Sequence, residues 1–321
     1  MIKGALALLI TGGTENWAAR RWRERFTRAC PDRVVALIPD DPIDPASVRY
    51  AAVWKPKPGV LGGFPHLQVI FNLGAGVDAV MADKTLPDVP LVRVAVDDLT
   101  QRMTEYVAMH VLMYHRRQGY YIESQQKRVW APKLQWAASA LRVGIMGMGV
   151  LGRDAAEVLA RIGFDVAGWS STAKSIPGIK CFAGEGELAA FLARTDVLVC
   201  LLPLTPQTRG ILNRRTFEQL ARGGKLGGPV IINAGRGGLQ IEDDILACLD
   251  DGTLAAATLD VFGIEPLPAD NLLWSHPKLT LSPHNAADTD PDAISVYVAE
   301  QIDAFERGDA LDNVVDRRAG Y

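Results

Sequence analysis

The sequence predicts an α/β protein made of two doubly wound parallel-sheet domains, and three observations lead there. Short apolar runs recur along the chain, bounded by Gly, Pro or Asp and separated by amphipathic segments, as buried parallel strands alternating with helices require. At Val143 to Gly152 one such run turns into Gly147-x-Gly149-x-x-Gly152 and then into an amphipathic stretch, Arg153 to Ile162. Finally, 321 residues suffice for two domains that each bury a core.

Residues 4–10 read as the first strand, Glu15 to Arg28 as a helix with Trp22 and Phe26 on one face, and Arg33 to Ile38 as a second strand. Further strands are expected at Tyr50 to Trp54, Leu67 to Phe71 and Leu91 to Val96. Together they give a flavodoxin-like domain over residues 1–100. Asp97 to Thr100 reads as a crossing point. The next stretch, Gln101 to Gln118, has helical composition, with Met103, Val107, Val111, Leu112 and Tyr114 spread around it. Burial between domains and contact with a second subunit both explain that broad apolar character. A Rossmann domain is expected over residues 101–288, with strands at 142–146, 165–169, 196–201, 230–233, 255–260 and 278–281. Over 289–321, a helix from Asp292 to Arg307 returns to the first domain, and Arg318 to Tyr321 form a tail.

Composition narrows the functional classes. Hydrophobic residues make up 48% and charged residues 22%, with a net charge of −3, so no basic surplus exists to hold nucleic acid or an anionic membrane. Cys30, Cys181, Cys200 and Cys248 are scattered without a C-x-x-C pair, which suits reduced thiols and a cytoplasmic location. The apolar start, Met1 to Ile10, is short and lacks a small-residue cleavage pattern, so it reads as a strand rather than a signal peptide. No run approaches the length needed to span a bilayer, and no His, Cys or Asp cluster has metal-ligand spacing.

The glycine motif suits a dinucleotide. Gly147 permits a sharp turn, Gly149 lets backbone N–H groups approach a pyrophosphate, and Gly152 lets the helix pack against its strand. The helix N-terminus adds unpaired N–H groups and partial positive charge. After the second strand of this domain come Ser170, Ser171, Thr172 and Lys174, with no Asp or Glu to hold ribose hydroxyls and repel an added phosphate. Hydroxyl donors and a lysine suit a 2′-phosphate, so preference for NADPH is expected, with NADH still accepted for want of an arginine.

In such sheets ligands bind beyond the strands' carboxyl ends. There stand Asn233-Ala-Gly-Arg236, Asp260-Val-Phe-Gly-Ile-Glu265-Pro and Ser282-Pro-His284. Arg offers a planar fork for a carboxylate and a carbonyl oxygen, Glu can orient a histidine, and His passes protons near neutral pH. Each has an ordinary structural explanation alone: a surface ion pair, a turn, a capping histidine. Their joint placement favours a reduction site. His66, His110, His115 and His276 lack such company and read as structural. In the first domain Asn72-Leu-Gly74-Ala-Gly76-Val-Asp78 follows a strand, either as a backbone nest for a carboxylate or as an ordinary strand-to-helix turn.

The whole set resembles the D-isomer-specific 2-hydroxyacid dehydrogenases, and within them the glyoxylate/hydroxypyruvate reductase A group. The resemblance spans nearly the whole chain. It rests on the segments at Asn72 to Asp78, Thr104-Glu-Tyr-Val107, Gly147 to Gly152, Leu201-Leu-Pro-Leu-Thr-Pro-Gln-Thr208, Asn233 to Gly237, Leu259 to Phe262 with Glu265-Pro266, Ser282 to His284, and the ending Val315 to Tyr321. It implies a homodimer whose substrate and cofactor domains close over a small 2-oxoacid or 2-hydroxyacid. Arg236 would hold the oxoacid, His284 donate the proton and Glu265 support it. Trp54, Leu73, Gly74, Ala75 and Gly76 would line the substrate side, with Trp54 limiting its size. The resemblance also implies a cofactor set of Gly147, Gly149, Val150, Leu151, Gly152, Arg153, Ser170, Ser171, Thr172, Lys174, Leu202, Pro203, Thr208, Ala234, Gly235 and His284, with Asp260 on the nicotinamide carboxamide.

Two departures from the group stand out. The run after Trp169 lacks the arginines that NADP(H)-preferring members tend to carry, and the catalytic loop reads Asn-Ala-Gly-Arg rather than Asn-Leu/Ser-Ala-Arg, which bears on loop stiffness. The function implied is NADPH-preferring reduction of glyoxylate to glycolate and of hydroxypyruvate to D-glycerate. The alternatives are a phosphoglycerate or D-lactate type of dehydrogenase, or a non-catalytic dinucleotide sensor that binds protein partners.

Overall fold

A computed structural model describes residues 3–11 and 17–318. The chain divides into two compact units, one formed by the residues up to Leu99 with those from Thr289 onward, the other by Thr100–Asp288.

The first unit holds a parallel sheet of β1 (Ala5–Ile10), β2 (Val35–Leu37), β3 (Val48–Trp54), β4 (Val69–Asn72) and β5 (Leu91–Arg93), in the order β2-β1-β3-β4-β5. This is the flavodoxin-like order. Alternation along β1 sends Leu6 and Leu8 to one face and Ala7 and Leu9 to the other, and both faces are buried. Helix α1 (Ala19–Ala29) sets Trp22 and Phe26 on the first face, each contributing about 2–3 kcal/mol by burial. The start expected for this helix, at Glu15, lies outside the described residues.

A short helix, α2 (Asp78–Met81), follows the loop after β4. The next helix, α3 (Asp97–His115), begins earlier than the sequence suggests, because Asp97 and Asp98 sit in its first turn, where carboxylates suit the dipole. It also ends earlier. Arg117 adopts a left-handed φ of 55° and starts a separate helix, α4 (Gln118–Gln126). In the first unit the last helix, α9 (Pro291–Arg307), is capped by Asp290 and places Ile294, Val298 and Ile302 against the same face as Trp22 and Phe26. The Arg33 guanidinium, 2% exposed, forks onto Glu306 of α9 at 3.0 and 3.1 Å. That pair holds the Glu306 carboxyl below its ordinary range.

The second unit holds β6 (Arg142–Met146), α5 (Val150–Ile162), β7 (Asp165–Ser170), β8 (Lys180–Ala183), α6 (Gly184–Ala193), β9 (Val197–Cys200), α7 (Arg214–Glu218), β10 (Val230–Asn233), α8 (Glu242–Asp250), β11 (Ala256–Leu259) and β12 (Leu279–Leu281). Its seven parallel strands run β12-β11-β10-β9-β6-β7-β8. Reversal of the chain order beside β6 makes the doubly wound switch point, just where the glycine motif stands. Six strands were expected; the seventh, β8, is an edge strand whose lysine and cysteine blur its apolar pattern. All four cysteines are free, with Cys30, Cys200 and Cys248 buried. Among the described residues no helix is long and apolar enough to cross a membrane, and no three His, Cys, Asp or Glu side chains are grouped to hold a metal ion.

Candidate active site

At the switch point two of the three glycines are required by the fold itself, and the third leaves an open face. Gly147 has φ +102°, and a Cβ there would meet the Leu201 carbonyl oxygen at 2.7 Å. A Cβ at Gly149 would meet nothing within 4 Å, so its face is open to an approaching ligand. At Gly152 a Cβ would lie 1.9 Å from the Gly147 carbonyl oxygen, so only glycine lets α5 sit this close to the turn. No side chain caps α5 at Gly149, and the N–H groups of Val150, Leu151 and Gly152 belong to its uncapped first turn. These features fit a diphosphate. Arg153, in the same turn, pairs with Glu157 at 2.8 Å on the surface.

At the end of β7, Ser170 is buried and gives its one proton to the Thr172 carbonyl at 2.7 Å, so it shapes the turn. Ser171, Thr172 and Lys174 are exposed. After β9, Leu202 is buried and Thr208 donates to the Pro203 carbonyl at 2.7 Å while accepting from the Thr205 N–H at 2.8 Å. Thr208 therefore fixes the loop on which Pro203 stands.

After β10 the buried Asn233 holds the loop that presents Arg236: its amide donates to the Arg236 carbonyl at 3.2 Å and to Gln240 Oε1 at 2.8 Å, and its oxygen accepts from the Gly235 N–H at 3.1 Å. A Cβ at Gly235 would come within 2.8 Å of Leu239 Cδ1 and 2.9 Å of the Leu202 carbonyl oxygen. The Asn-Ala-Gly-Arg spelling is thus a fit to close neighbours, and the loop it forms is braced. At Gly237 a Cβ would fall 1.9 Å from the Phe262 carbonyl oxygen, which packs this loop directly on the one after β11. Arg236 is half-buried, and its Nη1 donates to the Gly235 carbonyl at 2.8 Å.

On that next loop Glu265 accepts from the Phe262 N–H at 3.1 Å through Oε1 and stands 2.8 Å from His284 Nδ1 through Oε2. Both side chains are accessible, at 25% and 37% exposure. With Nδ1 facing the carboxylate, Nε2 is the ring nitrogen left to meet a substrate. Asp260, placed on the carboxamide by resemblance, is 1% exposed. Its carboxylate accepts from Ser282 Oγ at 2.7 Å and from the N–H groups of Asn285 and Ala286 at 3.0 and 3.1 Å. These bonds hold the loop that carries His284.

In the first unit the Trp54 ring lies against Gly74: a Cβ there would be 2.5 Å from Trp54 Cζ3. Gly74 is thus required for space, and its φ is not left-handed, so the nest reading lacks the backbone it would need there. Asn72, buried at the end of β4, donates to the Gly74 and Gly76 carbonyls at 2.6 and 3.0 Å and sets the course of this segment past Ala75. The Leu73 side chain is in the core, so only its backbone can face a ligand. Trp54 is half-buried and backed by Trp17, with ring centroids 4.9 Å apart. Asn72 and Asn233 stand in motifs legible in the sequence, but their bracing role shows only in the fold, and Trp17 and Gln240 have no sequence signal of their own.

Three comparisons bear on this arrangement. The model of the D-isomer specific 2-hydroxyacid dehydrogenase NAD-binding domain matches residues 108–286. A glyoxylate/hydroxypyruvate reductase A from Serratia proteamaculans is 43% identical over 309 residues, covering 94% of this chain and 96% of the relative. Among solved structures, an NADPH-dependent glyoxylate/hydroxypyruvate reductase from Sinorhizobium meliloti, in complex with NADP and sulfate, aligns with TM-score 0.93 and 44% identity over 99% of this chain and 100% of that one. A probable 2-hydroxyacid dehydrogenase from Rhizobium etli, in complex with NADP, HEPES and L(+)-tartaric acid, aligns with TM-score 0.94 and 42% identity over the full length of both.

Proposed function

The chain belongs to the D-isomer-specific 2-hydroxyacid dehydrogenases, and on that premise we propose that it reduces glyoxylate and hydroxypyruvate, with NADPH preferred over NADH. The observation that carries the reading is the His284–Glu265 pair at 2.8 Å, with the Arg236 loop packed against the loop that holds Glu265. His284 Nε2 protonates the oxygen of the reduced carbonyl, Glu265 keeps the ring turned for that transfer, and the Arg236 fork fixes the substrate's carboxylate and carbonyl oxygen. NADPH, when bound, supplies the hydride.

The residues that would hold it are Gly147, Gly149, Val150, Leu151 and Gly152 at the diphosphate and Ser171, Thr172 and Lys174 at the 2′-phosphate, with Leu202, Pro203, Thr208, Ala234 and Gly235 flanking. Asp260, placed at the carboxamide by resemblance alone, is buried here and holds the His284 loop through both carboxylate oxygens. Trp54, against Gly74, limits the substrate to small side chains.

Steady-state rates on a panel of 2-oxoacids with both cofactors test this reading. Glyoxylate and hydroxypyruvate should lead phenylpyruvate, and NADPH should give the higher kcat/KM. Lys174→Ala should raise the NADPH KM severalfold, the scale of one solvent-exposed ion pair, and leave the NADH KM nearly unchanged. A wild-type enzyme that favours NADH, or that prefers bulky oxoacids, would overturn it.

The working form we propose is a homodimer. The segment after α4 is fixed by Tyr120, whose hydroxyl donates to the Ala131 carbonyl at 2.9 Å, and by Tyr121, whose hydroxyl accepts from the Lys133 N–H at 3.1 Å. Yet it exposes Trp130 at 97% and Leu134 at 66%. An ordered segment that exposes large apolar side chains suits a second copy of the chain. The 34.8 kDa chain should sediment at about twice its mass, and Trp130→Lys with Leu134→Lys should shift it to monomer; a monomeric wild type ends this proposal.

A further inference from the structure

His284 has φ +54°, a left-handed backbone that a histidine adopts at a cost. Several bonds hold it there. Its N–H donates to the Asp260 carbonyl at 2.8 Å and the Ser282 carbonyl at 3.0 Å. The Asp260 carboxylate grips both sides of the residue, through Ser282 Oγ before it and the Asn285 and Ala286 N–H groups after it. Ser282 has one hydroxyl proton, and a carboxylate can only accept, so that proton goes to Asp260. The Tyr106 hydroxyl, 2.7 Å from Ser282 Oγ, must then be the donor to it.

Tyr106 stands on α3, is 8% exposed, and its phenol is pushed upward by burial, so it keeps the proton this chain of bonds needs. The His110 ring packs against it with centroids 4.3 Å apart, and burial pushes that imidazole below its ordinary range. Tyr106 is therefore flanked by an uncharged ring and directed at a single acceptor.

We propose that Tyr106 is a positioning residue for the proton donor, acting through Ser282 and Asp260 to hold the loop that keeps His284 in its left-handed conformation. A tyrosine 176 residues from Ser282 thereby controls the aim of His284 without touching substrate. The inference rests on His284 as the acid.

Tyr106→Phe removes the hydroxyl and keeps the packing. It should lower kcat three- to tenfold, the range one hydrogen bond carries, while both KM values stay at wild type and the thermal midpoint falls by no more than a few degrees. Ser282→Ala should cost a similar factor, and the double variant no more than the larger single loss, because both break one chain of bonds. In a His284→Gln background, Tyr106→Phe should cost nothing further. An unchanged kcat, a matching rise in the NADPH KM, additive losses with Ser282→Ala, or a full loss in the His284→Gln background would each overturn the inference. Full turnover by His284→Gln itself would instead sink the assignment of the acid.

Discussion

Replacing His284 with alanine should lower kcat by about 10²-fold or more, the scale on which general acids act, while the NADPH Kd moves far less. The geometry makes the prediction specific. Glu265 occupies the Nδ1 side at 2.8 Å, so the ring has one nitrogen, Nε2, to offer the substrate, and alanine leaves no donor in its place. Because the loop backbone is tied to Asp260 independently of the imidazole, the substitution should leave the fold intact. Single-turnover hydride transfer with NADPH in excess, monitored by absorbance, separates chemistry from product release. Turnover near the wild-type rate would remove His284 from the mechanism.

Arg236→Lys should lower kcat/KM for the oxoacid by about 10- to 100-fold, the loss expected when a charge-assisted fork becomes a point charge. The NADPH Kd, read by fluorescence titration, should move far less. Asn233 grips the Arg236 carbonyl rather than its guanidinium, so the lysine backbone will be presented as arginine's is, and the deficit belongs to the lost fork. An equal loss in oxoacid and cofactor affinity would place Arg236 at the dinucleotide instead.

Much of this molecule can be read before any coordinate is known, for a physical reason. β6 and β10 lie inside a parallel sheet buried on both faces, so Arg142–Met146 and Val230–Asn233 appear as nearly unbroken apolar runs whose ends match the strands. The glycine motif is equally legible, since crowding at Gly147 and Gly152 forbids any Cβ. Where a single dihedral or an edge position decides, the pattern is silent. Arg117 breaks the long helix by its own φ, and β8 is too polar at the edge to announce itself.

The sequence by itself determined the two α/β domains, the family, and the strand ends on which Arg236, Glu265 and His284 stand. Only the tertiary structure decided what each of these touches. His284 meets Glu265 from 19 residues away because β11 and β12 are parallel neighbours whose following loops emerge on the same edge. Tyr106 reaches Ser282 from α3, Asp260 turns inward to hold the histidine loop, and Trp54 settles on Gly74. Such partnerships depend on strand order and helix packing, which bring distant residues together at distances that local periodicity does not encode.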